Sequence, residues 1–270
     1  GQRLQTRLAE VQRGWESLLE KGDGGAVQKA AEAMLARETP VANPTDYNDQ
    51  RTLVALHDMA ARGAVLDGAW EAAFIHLKAA VDLSTTNLEQ AEKTLGRAIQ
   101  DHEAHLTITR AAVAQLESKL QEFAQADGLP QQLIEARDRA RQSLSQHKAS
   151  VTHSEQSIVE IRNVLAQLRK VRETYAASHE GWRAFLEAEK AELAKAGSPE
   201  RYAAQKLEQV KADDAKPRTE RLSYGRRILR HDGVNADAKR FVDGLMGIES
   251  EPPEAPKETK KAPSRKRKKA

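Results

Sequence analysis

Asp101, His102, Glu103 and His105 bring two carboxylates and two imidazoles into one short stretch, a composition suited to holding a metal or moving a proton. The spacing does not complete a metal-protease helix. His-Glu-x-x-His needs its second histidine where Leu106 stands. Across a helical hairpin His102, His105 and His153 could approach one another, but polar layers within a seam account for them equally well. Cysteine is absent, which removes thiolate ligands, disulfides and one common nucleophile. No glycine-rich loop precedes a Lys-Ser or Lys-Thr pair, and no Gly-x-Ser-x-Gly occurs. Carboxylates are plentiful, yet they alternate with Lys and Arg at spacings that favour solvated helical ion pairs. The expectation is a protein that is not an enzyme, with no catalytic residue, metal site, cofactor or small-molecule substrate.

Two basic stretches offer a different chemistry, the binding of polyanions. Arg218, Arg221, Arg226, Arg227 and Arg230 share one predicted helix, either as a solvated face or as a surface for phosphate or an acidic partner. The second stretch is the end of the chain, where Lys257, Lys260, Lys261, Arg265, Lys266, Arg267, Lys268 and Lys269 crowd together. The formal net charge of +3 conceals this polarity: eight of 43 Lys and Arg but one of 40 Asp and Glu lie in 257–270, leaving an acidic remainder. With Pro252, Pro253, Pro256 and Pro263 alongside, the composition cannot bury a core and predicts disorder. The segment resembles the lysine-, alanine- and proline-rich tails of linker histones and histone-like bacterial proteins. That likeness implies binding to nucleic acid by counterion release; adhesion to anionic lipid and a nuclear address are the alternatives. No aromatic residue interleaves with the cations, so base stacking is not expected.

What must carry these residues is a pair of long helices. Leu133, Ala140, Leu144, Val151, Ile158, Ile161, Leu165, Leu168, Tyr175, Trp182, Leu186 and Leu193 fall in three-four alternation, the pattern of a coiled-coil seam that needs a partner. Upstream, Phe74, Leu77, Val81, Leu88, Ala91, Leu95, Ile99, Leu106, Val113, Leu116, Leu120 and Phe123 form a second stripe. Two successive four-residue steps at Ala91, Leu95 and Ile99 make one stutter in it. Gly128 and Pro130 break the pattern between the stripes. Folding back there sets Leu116 opposite Ala140, Leu106 opposite Val151, Leu95 opposite Ile161, Leu88 opposite Leu168 and Phe74 opposite Trp182. An arm from Phe74 to Phe123 would be roughly 75 Å long.

The remaining apolar periodicity is short. Leu4, Leu8, Val11, Trp15 and Leu18 mark a first helix, with Gly22 to Gly25 as a turn after it. Further helices are expected over 27–37 and 49–62, and Gly63 and Gly68 bracket the passage into the arm. Ser198 with Pro199 opens a helix, another spans 218–230, and Asn235 caps a last one. Leu56, Met59, Ala60, Ala72 and Ala79 resemble part of a tetratricopeptide repeat, but Gly63 and His76 stand where that family prefers aromatics. No second copy recurs, so no repeat array is predicted. Only 4% of residues are aromatic and much of the 39% hydrophobic content is alanine, which suits thin helix-on-helix seams.

The predicted architecture is all-α: a long antiparallel coiled-coil hairpin projecting from a small base of short helices, with a disordered basic C-terminal tail. Its parts are base helices over 1–68, the hairpin over 69–196 with its turn near 126–130, further base helices over 197–249, and the tail over 250–270. The expected role is that of a structural or adaptor protein whose arm meets a protein partner or a second copy, and whose tail tethers it to a polyanion, nucleic acid being favoured. The alternative is a membrane-surface or cell-envelope protein on anionic lipid. No apolar run approaches the roughly twenty residues of a transmembrane helix. A cytoplasmic location is expected, although a start at Gly1 is also compatible with an N-terminal signal removed beforehand.

Overall fold

The computed structural model describes residues 3–249. Among these residues the chain is helical throughout, without strands: α1 (Leu4–Lys21), α2 (Gly24–Glu38), α3 (Tyr47–Leu66), α4 (Trp70–Ala124), α5 (Gln131–Ala196), α6 (Pro199–Ala212), α7 (Arg218–His231) and α8 (Ala236–Met246). Helices α4 and α5, of 55 and 66 residues, pack together as the antiparallel hairpin. Leu88, Ala91, Leu165 and Leu168 are buried between them, with Leu95, Ile99, Ile161 and Val164 packed around, so the layers follow the register the two stripes predict. The reversal falls at Gly128, whose φ of 67° lies in the left-handed region that a side chain disfavours, and Pro130 occupies the N-cap of α5. Ion pairs flank the seam, among them Arg110–Glu155 at 2.7 Å, Lys148–Glu117 at 3.0 Å and Arg162–Glu103 at 3.3 Å.

At the foot of the hairpin the structure departs from the two-stranded expectation. Phe74 stacks on His179, with ring centroids 4.5 Å apart, while Trp182 meets Trp70 edge-on at 5.5 Å. The expected Phe74–Trp182 pair is thus displaced by about one helical turn. The cause is α3, which packs along the first turns of α4 as far as Asn87, buried with its Nδ2 facing the Tyr47 carbonyl at 3.5 Å. Tyr175 accordingly turns to hydrogen-bond Asp58 of α3. Three helices meeting at one core do not obey the layer pairing of two. The unaccompanied rod begins near Leu88 and Leu168, so its reach to the end of α4 is about 55 Å, shorter than the whole seam implied.

A second departure concerns glycine. Of the expected turn at Gly22 to Gly25, only Gly22 takes a left-handed conformation, with φ of 92°, ending α1; Gly24 already belongs to α2. Gly63 is not a boundary either. A Cβ built on Gly24 would stand 2.5 Å from the Gly63 carbonyl oxygen, and one on Gly63 would stand 2.6 Å from the Gln28 amide nitrogen. The two glycines let α2 and α3 cross backbone to backbone, and α3 continues to Leu66.

The base draws on both ends of the chain. Trp15, Val27, Leu56 and Met59 share a core with Leu222 and Val242, while Ala203, Leu207, Ile228 and Ala238 form a second cluster behind it. Local signals open α6 and α8 as the sequence predicts: Ser198 accepts from the Arg201 amide, and Asn235 from the Ala238 amide at 2.9 Å.

Candidate functional site

Polar chemistry concentrates where the arm enters the base, around α7. Arg227 lies on the buried side of that helix, 4% exposed, and its guanidinium is shared between the two strands of the hairpin. From α5, Glu189 accepts from Nε at 2.9 Å and from Nη2 at 2.6 Å; from α4, Glu71 accepts from Nη1 at 2.6 Å. The Gly68 carbonyl accepts a further bond at 3.3 Å, and the Trp70 ring lies beneath the guanidinium, 5.0 Å away. Burial alone would lower the Arg227 pKa, but its bonds to Glu71 and Glu189 outweigh that and hold it above the ordinary value. The same contact keeps the Glu71 carboxyl below its usual range. A buried arginine with two carboxylates, and His231 3.3 Å from Glu189, acts as a clamp that ties both arm helices to the base.

The other arginines of α7 also bond groups of the protein itself. Arg226 donates to the carbonyls of Gly22 at 2.6 Å and Leu66 at 3.0 Å; Arg218 donates to those of Glu20, Lys21 and Leu245. Arg230 pairs with Asp67 at 2.7 Å, and Arg221 lies over the Phe241 ring. The orphan carbonyls at helix C-termini recruit these guanidiniums. Arg218, Arg221, Arg226, Arg227 and Arg230 thus all contact the protein's own groups and brace the base, while Arg218 and Arg230 also keep solvent-exposed surface.

Beside the clamp a cleft of about 980 Å³ opens between α1, α3, α4, α5 and α7. Trp70, Trp182, Phe185 and Tyr224 form its aromatic floor, in tilted and edge-on contacts with centroids 5.1 to 6.2 Å apart. Trp70 is fixed from behind, its indole N–H donating to Ser223 Oγ at 3.0 Å. Trp182 is half-buried and Phe185 is 36% exposed, so the floor is partly open to solvent. Glu16, Glu20, Asp58 and Glu220 stand in the lining against one cation, Arg62. Burial pushes the Asp58 carboxyl up despite Arg62 nearby.

A third polar group was invisible in the sequence. His57 Nδ1 lies 2.9 Å from His76 Nδ1, and His76 Nε2 lies 2.8 Å from Glu32, joining α3, α4 and α2. Burial, with the His76 charge beside it, pulls the His57 pKa down to about 4. Only the meeting of three helices creates this group; no spacing along the chain announces it. For Arg226 a signal did exist, because it falls in four-three spacing between Leu222 and Leu229, on an apolar stripe.

On the arm, His105 pairs with Ser150 at 2.9 Å, and His147 bonds the Ser143 carbonyl. Among the described residues no group of three His, Asp or Glu is arranged to hold a metal ion, and no helix is long and apolar enough to cross a membrane. The tail cations Lys257, Lys260, Lys261, Arg265, Lys266, Arg267, Lys268 and Lys269, and the disorder expected around them, lie outside the described residues. Comparison with family models, with curated proteins and with solved structures returned no match.

Proposed function

We propose that this protein is a non-enzymatic adaptor in which a rigid helical spacer, clamped into a small base, presents a partner-binding tip while the basic tail tethers the molecule to nucleic acid. One observation carries the reading. Beyond Leu106 the seam closes incompletely: Val113, Leu116, Leu120, Phe123 and Leu144 are only half-buried and Leu133 is 42% exposed. Covering such a strip would favour association with another helical surface, a second copy included. The tail supplies charge without aromatic or hydrogen-bonding selectivity, so its binding would follow counterion release and be indifferent to base sequence.

The test measures affinity of the full chain for a random-sequence DNA duplex across a salt series, beside a chain deleted from 257 to 270. A steep salt slope that disappears with the deletion is expected; undiminished binding by the shortened chain would refute the tether. Anionic vesicles at the same ionic strength provide the competing surface, and a preference for them would replace nucleic acid with lipid. Light scattering of the full chain reports whether the tip pairs two copies.

A further inference from the structure

The aromatic cleft of the base has its own candidate occupant in the same chain. We infer that the basic tail, 257–270, seats in the cleft floored by Trp70, Trp182, Phe185 and Tyr224, so that the base holds the tail when no polyanion does.

Position is the first argument. Arg218 donates at once to the Leu245 carbonyl at 2.7 Å and to the Glu20 carbonyl at 3.2 Å, which sets the end of α8 beside a residue of the cleft lining. Met246 confirms the proximity, since its sulfur would stand 2.8 Å from a Cβ on Gly22. Thr219 and Glu220, which follow Arg218, line the same cleft. Between Glu249 and the first lysine of the tail lie seven residues, a reach of roughly 20 Å when extended.

Charge is the second. The lining holds Glu16, Glu20, Asp58 and Glu220 against Arg62, with Lys216 at its edge 3.5 Å from Glu220, while the tail carries eight cations and the single acid Glu258. Arg62 offsets little, because it stands 4.0 Å from Glu16 and both are about half exposed. Among the described residues the Glu20 carboxylate has no ion pair. Lysine and arginine also bind well over aromatic faces, as Arg227 already does over Trp70 and Lys216 over Tyr224, 5.1 Å from its centroid. An apolar ligand would find the same floor but would leave the Glu20 carboxylate unmatched. Seating needs only the tail's charge, so it does not depend on which polyanion the tail meets elsewhere.

Because the chain has no cysteine, Ser264→Cys gives a single site for a nitroxide spin label on the full-length protein. The readout is the indole N–H resonance of Trp182, assigned with Trp182→Phe. At low salt the label should broaden most of that signal away. The signal should return at high salt, and equally in a chain carrying Glu16→Gln, Glu20→Gln and Glu220→Gln, whose circular dichroism verifies the fold. An unaffected Trp182 signal at low salt overturns the inference, even in a chain that binds DNA normally. Broadening that passes from a labelled chain to an unlabelled, isotope-enriched one also overturns it, by making the occupant a second copy.

Discussion

The base and the outer arm are built from the same kind of helix, yet they are held together by different means. In the base, Val27, Leu56, Met59, Leu222 and Ile228 are almost wholly buried, and Arg227 and Glu189 form a buried ion pair beside Trp70. In the free rod the buried positions are fewer, and beside Leu106 and Ile158 several are small or polar: Ala91, Thr109, Ala140 and Ser154. Its flanking ion pairs are about half exposed on both partners, as at Arg110 and Glu155, where water screens most of the attraction. A few large contributions therefore secure the base, while the arm relies on many small ones repeated along its length. The contrast teaches where damage spreads: a defect in the base is global, and a defect in the rod stays local.

The sharpest way to break the contrast is at the clamp. Arg227→Ala leaves buried Glu189 without its guanidinium, with only His231 beside it, and should cost about 3–5 kcal/mol, read as a fall in the urea midpoint. Arg227→Met combined with Glu189→Leu should recover most of that loss, because the isolated charge is gone. Next in size, Leu56→Ala opens a cavity in the core and should remove about 3 kcal/mol in the same assay. If either change left the base intact while the rod melted, the division between the two regions would be wrong.

Acidification provides a smaller test confined to the base. His57 titrates near 4 in the fold against 6.5 for an unstrained histidine, so the unfolded chain takes up the proton first. The His57 contribution is expected to lower stability as pH drops from 6.5 towards 4, with His57→Asn flattening that part of the curve; below it the depressed Glu71 carboxyl continues the loss. Smallest of all, Arg162→Ala removes a solvated cross-helix pair with Glu103 and should shift stability by less than about 0.5 kcal/mol. A loss several times larger would mean that the rod, too, depends on individual contacts.

Most of the rod was legible from periodicity, because a seam residue's burial follows from its spacing, and Gly128 with Pro130 marks the reversal by backbone geometry alone. Ser198 and Asn235 were equally readable as caps, being local signals. A heptad stripe does not say how many helices share it, which is why α3's place beside α4, and with it the true partner of Phe74, emerged only in three dimensions. The arginines of α7 show the same limit in charge. Sequence counts cations, but whether a guanidinium faces solvent or the carbonyls of Gly22 and Leu66 depends on contacts far along the chain. Glu71, Glu189 and Arg227 lie on three helices and no local pattern could join them.

The last anchor of the rod on the base is the packing of α3 along α4 as far as Asn87, and the rod extends about 55 Å beyond it. Geometry turns that proportion into leverage. A pivot of about 5° at the anchor sweeps the Gly128 end through about 5 Å, so an adjustment too slight to disturb packing near Trp70 becomes a displacement as large as a side chain at the far extremity.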